Sequence, residues 1–170
     1  MKEEIKKYIL DQAIVKHVCP QGAEGISKSR SIDDLLEMYV KDIDYCLSND
    51  FPSNMDLLKI GGERLSTYGI LIDDSSKKQN SKFTVLLGHC NVSLAYDGYT
   101  ASTLFVKNKS EADIEVNGHA FVVIDCFDEC IVRLHVGVKA KVLLNIYGKT
   151  TVHTTGPGII KTVNKNQNTY

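Results

Sequence analysis

The side chains best suited to chemistry in this sequence are acids, an arginine and histidines that recur at intervals of twenty residues. The two series are Ser93, Asp113, Arg133 and His153, and Ala95, Glu115, His135 and Thr155. Residues at the same position on neighbouring strands lie about 4.8 Å apart. The spacing therefore predicts an ion pair between Asp113 and Arg133. It predicts a second one between Glu115 and His135.

A polar surface of this kind has three interpretations. The simplest is a solvated face whose charge pairs each contribute a fraction of a kcal/mol. The functional alternative is a shallow surface that binds a partner, with the candidate residues Asp113, Glu115, Arg133, His135 and His153. Acid–base catalysis is the least favoured, because it requires a concave and partly dry pocket that a flat sheet does not provide.

A second candidate for chemistry is the thiol of Cys19, which lies in the string CPQG at residues 19–22, two residues after His17. A reactive thiol needs a base or a helix N-terminus beside it. The alternative, which we favour, is a buried thiol that anchors the connection between the first two helices.

The remaining cysteines and histidines indicate no metal site. Cys90, Cys126 and Cys130 fall on inward positions and are expected to be reduced core thiols. His89 and His119 lie thirty residues apart and are expected to be separate surface residues. No run of ligands has metal-binding spacing, and no nucleotide-binding or hydrolase motif is present, so we predict no cofactor and no enzymatic activity.

A ten-residue period over residues 81–160 sets the elements that must position these side chains. Counted in tens from Ser81, the second, fourth and sixth positions are mostly aliphatic, and the eighth is often glycine. Because ten is even, the alternation of side chains along a strand continues from block to block. Two folds fit this period: an antiparallel β-meander or sandwich, and a β-solenoid whose coils each contain two ten-residue limbs.

The odd positions favour the solenoid, because alternate blocks differ in polarity. The blocks that begin at 91, 111, 131 and 151 are mostly polar there. The other blocks carry the apolar set Phe83, Val85, Phe105, Phe121, Val123, Phe127, Leu143 and Tyr147. A twenty-residue coil places each set on its own sheet, and stacked repeats bury continuous faces. We therefore predict a mainly β protein with a solenoid of about four coils over residues 67–160. Its apolar outer sheet needs a cover, either the N-terminal helices or a second subunit.

The region 1–66 is expected to be α-helical and to pack on or cap the repeat. Apolar residues at helical spacing predict a helix over 2–16 and a second one that Ser31 caps and that extends to about residue 48. Ser53 can cap a short third helix, and one further helical turn is expected at 63–66.

The segments between these elements are expected to be irregular. Residues 19–30 and 75–82 are polar and are predicted to be connections, with a first strand within 67–74. Residues 161–170 lose the period and are predicted to form a frayed tail.

Composition and charge argue against several classes of protein. The formal net charge is −1, so the chain lacks the basic excess of a generic nucleic-acid or anionic-membrane binder. No apolar stretch is long enough to span a bilayer, and the N-terminus does not resemble a signal peptide. These features predict a cytoplasmic protein.

Four strings resemble a family of short uncharacterised proteins encoded by bacteriophages and integrated elements of gut bacteria. They are CPQG at 19–22, SIDDLLEMYV at 31–40, IDYCL at 43–47 and FPS at 51–53, followed by the repeat. The resemblance covers most of the chain. It implies an accessory protein of a mobile element, in the cytoplasm of the host bacterium, but it carries over no catalytic residue.

These observations lead to three functional hypotheses. The first is a non-enzymatic protein that binds a host protein, for example to antagonise a defence system such as CRISPR. The second is a structural or virion assembly protein that forms homo-oligomers through its apolar sheet. The third is a small-ligand-binding protein or an enzyme, which depends only on Cys19, His17 and the polar series.

Overall fold

The computed structural model describes residues 3–170, which form two compact units. The first is helical and extends to Tyr68, and the second is a β-solenoid that spans Gly69–Thr169. No helix within residues 3–170 is long and apolar enough to cross a membrane.

The described part of the helical unit contains five α-helices and a 3₁₀ helix. They are α1 (Glu3–Val15), α2 (Pro20–Lys28), α3 (Ile32–Lys41), α4 (Ile43–Asn49), α5 (Asn54–Gly61) and the 3₁₀ helix Gly62–Tyr68. The first predicted helix is confirmed, except that residue 2 lies outside the described residues. The core of the unit is an apolar cluster that includes Ile9, Ala13, Ile26, Leu35, Phe51 and Ile60.

Two predicted helix starts are confirmed by their side-chain caps. The Ser31 hydroxyl accepts a hydrogen bond from the Asp34 N–H at 3.0 Å, and the Asp34 carboxylate accepts one from the Ser31 N–H at 3.1 Å. The Ser53 hydroxyl accepts a bond from the Asp56 N–H at 3.2 Å at the start of α5. These bonds satisfy N–H groups that have no partner within the helix.

Two helical predictions are wrong. Residues 19–30 contain α2 rather than an irregular connection, because the Cys19 thiol caps the Gly22 N–H and Pro20 occupies the first turn, where its missing N–H costs nothing. The helix expected up to residue 48 is divided into α3 and α4 at Asp42, whose backbone angles are φ −105° and ψ 35°. Apolar spacing continues across Asp42, so the pattern does not show this break.

The second unit consists of two parallel sheets. One, the apolar sheet, contains β1 (Ile70–Ile72), β3 (Phe83–Leu87), β5 (Ala101–Val106), β7 (Phe121–Cys126), β9 (Lys141–Ile146) and β11 (Ile159–Asn164). The other, the polar sheet, contains β2 (Lys77–Gln79), β4 (Asn91–Tyr96), β6 (Glu111–Val116), β8 (Ile131–Val136) and β10 (Thr151–Thr155).

The pairing of these strands decides between the two candidate folds. Each strand pairs in parallel with the strand one coil later, as Glu111 does with Ile131 and Phe121 with Lys141. A meander would instead pair consecutive strands antiparallel. The β-solenoid of about four coils is therefore confirmed, and the meander or sandwich is excluded.

The repeat extends further at both ends than the sequence pattern predicts. β2 lies inside the segment 75–82, which was expected to be a linker, and pairs Lys77 with Ser93. β11 includes residues 161–164 of the expected frayed tail and pairs Lys161 with Leu143. Both segments are rich in polar residues, and they form strands because a neighbouring strand supplies the hydrogen bonds.

The solenoid interior is filled by ladders of equivalent aliphatic side chains. Leu104, Ile124 and Leu144 lie on consecutive coils of the apolar sheet and are at most 1 % exposed. Leu94, Ile114 and Leu134 form the matching ladder on the polar sheet. Burial of these ladders is the main favourable term in the stability of the unit.

The corners between limbs explain the glycines at the eighth position. Gly118 and Gly148 have φ values of 60° and 69°, and Asn108 and Asp128 have 63° and 60°, a region that glycine, Asn and Asp tolerate best. The two polar side chains also link coils. Asn108 Oδ1 accepts a hydrogen bond from the Gly88 N–H at 2.8 Å, and Asp128 Oδ2 accepts one from the Asn108 N–H at 3.0 Å.

The buried ladder predicts a large effect for one core substitution. Ile124→Ala removes three carbon atoms from a fully buried position and should lower the free energy of unfolding by about 2–5 kcal/mol. The matched control is Ile159→Ala, at a position that is 60 % exposed, where the loss should stay below about 1 kcal/mol. Urea unfolding followed by circular dichroism measures both. Equal losses would show that the ladder does not dominate the stability of the solenoid.

Candidate functional site

The outward side of the polar sheet, which we call the polar face, aligns the residues predicted to form a binding surface. Parallel pairing places Arg133 between Asp113 and His153, and Glu115 beside His135. All five side chains are exposed. The two columns inferred from the spacing of twenty are therefore present.

The predicted ion pair between Asp113 and Arg133 is confirmed, and Arg133 has a second acidic partner. Arg133 Nη1 lies 3.2 Å from Asp113 Oδ1, and Nη2 lies 2.8 Å from Glu111 Oε2. Hydrogen bonds to Glu111 and Asp113 raise the pKa of the guanidinium. The spacing of twenty does not predict the contact with Glu111, because it relates only residues in the same column, whereas the long arginine side chain also reaches the diagonal position.

The predicted ion pair between Glu115 and His135 is wrong. His135 Nδ1 lies 3.0 Å from Thr155 Oγ1, on the next coil in the opposite direction. Parallel stacking places His135 between two neighbours in its column, Glu115 and Thr155. Its imidazole contacts Thr155 rather than Glu115, since it is shorter than the arginine side chain that reaches two acids. Within residues 3–170 the Glu115 carboxylate has no ion-pair partner, so it remains available to a ligand.

A shallow depression of about 820 Å³ lies on the polar face. Its lining includes the short side chains of Ser93 and Ala95 and the longer side chains of Lys77, Glu115 and Arg133. The contribution of Lys77 was missed because β2 was expected to be a linker. The depression offers both a carboxylate and cationic groups to a partner.

The residues predicted to lie on the outward side of the apolar sheet differ in exposure. Val85, Phe105, Phe127 and Tyr147 are buried, Phe83, Val123 and Leu143 are half-buried, and Phe121 is 44 % exposed. Two aromatic pairs connect neighbouring coils. Phe127 and Tyr147 stack at 4.6 Å, and Phe83 and Phe105 lie 5.7 Å apart.

The same side of the sheet also holds buried polar groups that the apolar pattern does not predict. Asn145 Nδ2 donates a hydrogen bond to Asp125 Oδ1 at 2.6 Å, and Lys107 Nζ lies 3.1 Å from Asp128 Oδ2. Buried charges and amides are tolerated only where such partners satisfy them. Their signal in the sequence is polar residues at outward positions of an otherwise apolar limb.

The cysteines separate into one exposed thiol and four buried ones. Cys19 is exposed, so its assignment as a buried anchor is wrong, and its Sγ accepts a hydrogen bond from the Gly22 N–H at 3.4 Å. Cys46, Cys90, Cys126 and Cys130 are buried. Burial raises the pKa of Cys46 to about 12, so its thiolate is scarce at neutral pH.

The histidines and acids of the described residues are dispersed over the fold. No group of three or more His, Cys, Asp or Glu within residues 3–170 is placed to hold a metal ion. His119 stacks on the exposed Tyr99 ring, with centroids 4.8 Å apart and the planes at 6°. This contact lies at a corner of the solenoid, away from the columns of the polar face.

Comparisons with known proteins do not add a functional assignment to this geometry. No protein-family model matches the chain, and neither the curated proteins nor the solved structures contain a significant match. Arguments about function therefore depend on the site itself.

The difference in thiol exposure predicts a stepwise titration. Ellman's reagent should modify one thiol of the native protein rapidly and all five after unfolding in urea, because burial protects the other four. Cys19→Ser should abolish the rapid step, whereas Cys46→Ser should leave it unchanged. Rapid modification of two or more thiols in the native protein would contradict the burial of Cys46, Cys90, Cys126 and Cys130.

Proposed function

We propose that this protein is a non-enzymatic binding protein that engages a protein partner through the polar face. The observation that carries this proposal is the depression of about 820 Å³, which is bordered by exposed charged groups on a rigid parallel sheet. Strands hold such groups in place better than loops do, so less freedom is lost when a partner binds.

The arrangement of charges supports binding rather than catalysis. Arg133 is held between Glu111 and Asp113, which fixes its position before any partner arrives. Glu115 and Lys77 add charges of opposite sign within the same depression. A mixed pattern of this kind suits recognition of a complementary protein surface, where charge placement determines specificity and register.

The proposed partner is a protein of a bacterial host. The resemblance to proteins of bacteriophages and integrated elements supports this context, and a mobile element benefits from blocking a host defence system. A CRISPR effector is one such target. We therefore propose that the polar face is the binding surface and that the protein acts as an antagonist of host defence.

Affinity purification from host lysate tests the proposal with variants matched in charge. The wild-type protein should retain a specific host protein, and a variant with Lys77→Glu and Glu115→Lys should retain at least about tenfold less, since two exposed charges on the polar face are reversed at constant net charge. The control carries Lys109→Glu and Glu129→Lys, which reverse exposed charges at a corner. Equal retention by all three proteins, or no retained protein, would contradict the proposal.

A second candidate function is assembly through the apolar sheet. Phe121 is 44 % exposed, and Ile159 on the same outward side is 60 % exposed. Lys141 lies between them in the column, and Val123 and Leu143 are half-buried beside it. An apolar patch of this kind can form an interface between identical subunits.

Light scattering separates this second candidate from the first. If the apolar sheet forms an interface, the mass in solution should be a multiple of 18.9 kDa, and Phe121→Asp with Ile159→Asp should return it to that of the monomer. The control, Val138→Asp, changes an apolar residue at a corner that is 74 % exposed. A monomer at every concentration tested would exclude assembly by this route.

A further inference from the structure

The small net charge of the chain conceals a strong separation of charge along the solenoid. All 21 acidic residues lie at or before Glu129, whereas the segment from residue 130 onward contains only basic charges. These are Arg133, Lys139, Lys141, Lys149, Lys161 and Lys165. The segment contributes β8, β9, β10 and β11, so one end of the solenoid is positively charged.

The same end presents two unpaired strand edges. Among residues 3–170, β10 is the edge strand of the polar sheet and pairs only with β8, and β11 is the edge strand of the apolar sheet and pairs only with β9. The side chains at the interior positions of this last coil are incompletely buried. Thr154 and Thr162 are exposed, and Val152 and Ile160 are half-buried. In the first coil, by contrast, Leu71 is 3 % exposed.

The hydrogen bonds of β11 show which of its N–H groups remain free. Ile159 N donates to Ala140 O at 3.1 Å, and Lys165 N donates to Ile146 O at 2.9 Å. Successive N–H groups of a strand point to opposite sides, so the N–H groups of Ile160, Thr162 and Asn164 point away from β9. They form a row of donors on the open edge.

We propose that this basic end binds an extended acidic segment of another protein, which adds to β11 as a further parallel strand. The free N–H and C=O groups of β11 would form the new ladder. Side chains on one side of the added strand would cover Ile160 and close the open interior. Those on the other side would lie about 4.8 Å from Lys161 and Lys165, where acids are favoured. The preferred ligand is therefore a strand in which acidic and apolar residues alternate.

The lysines of β11 favour an acidic strand at this edge over a second copy of the chain. Pairing two β11 edges would bring Lys161 and Lys165 of both copies together, and like charges on adjacent strands are destabilising. Edge lysines discourage self-association in this way, and the same lysines attract an acidic strand. The proposal does not depend on the polar face, because Glu115 and Arg133 lie on the other sheet.

Fluorescence anisotropy with short labelled peptides tests the proposal. The probe is a peptide of about seven residues in which Glu and Val alternate, and the comparison peptide replaces each Glu with Lys. The acidic peptide should bind the wild-type protein, more weakly at higher salt, and the basic peptide should not. Lys161→Glu with Lys165→Glu should weaken binding at least about tenfold, since both neighbouring charges are reversed.

Two further variants separate strand addition from attraction by charge alone. Thr162→Pro removes a free N–H without breaking a bond to β9, so the midpoint of thermal unfolding should stay unchanged while peptide affinity falls about tenfold. Lys82→Glu with Lys109→Glu reverses two exposed lysines outside this end and should bind the peptide as the wild type does.

Several outcomes would overturn the proposal. Unchanged affinity after the reversal of Lys161 and Lys165 would exclude the basic end as the site. Full affinity in a folded Thr162→Pro variant would exclude strand addition. Tighter binding of an oligothymidylate of about 20 nucleotides, in competition with the peptide, would assign this end to nucleic acid instead.

Discussion

The in-register parallel stacking of twenty-residue coils is the constraint on which the solenoid depends. Parallel pairing places the same position of each coil in one column, so the interior accepts only columns whose members pack on one another. Leu104, Ile124 and Leu144 satisfy this requirement on one sheet. Because successive side chains alternate, a shift of one residue would expose the whole ladder to water. The exterior is then free to vary, provided that each strand keeps its register.

The polar face is a consequence of that register. Stacking places Arg133 beside Asp113 in its column and within reach of Glu111, so that one guanidinium pairs with two acids. Glu115 has no ion-pair partner among residues 3–170. A rigid array of this kind is prepared for binding before a partner arrives. This preparation supports the proposal that the polar face recognises a partner.

Stacking also creates ends, and the two ends of this solenoid differ. The interior of the first coil is closed at Leu71, whereas the last coil leaves Thr154 and Thr162 exposed on two strands whose outer edges are unpaired. A solenoid end must be covered, charged or paired to avoid uncontrolled association. The concentration of lysines after Glu129 supplies the charge and defines which kind of strand could pair there.

The sequence by itself determined the repeat, the two limbs and the pairing of Asp113 with Arg133, because these depend on periodicity and on parity, which can be read along the chain. Tertiary structure alone decided three other features. β2 and β11 are strands because neighbouring strands supply their hydrogen bonds. His135 contacts Thr155 rather than Glu115, because a residue inside a column has two neighbours and the reach of its side chain selects between them. Burial and pairing depend on which segments meet in space, and no local pattern encodes that.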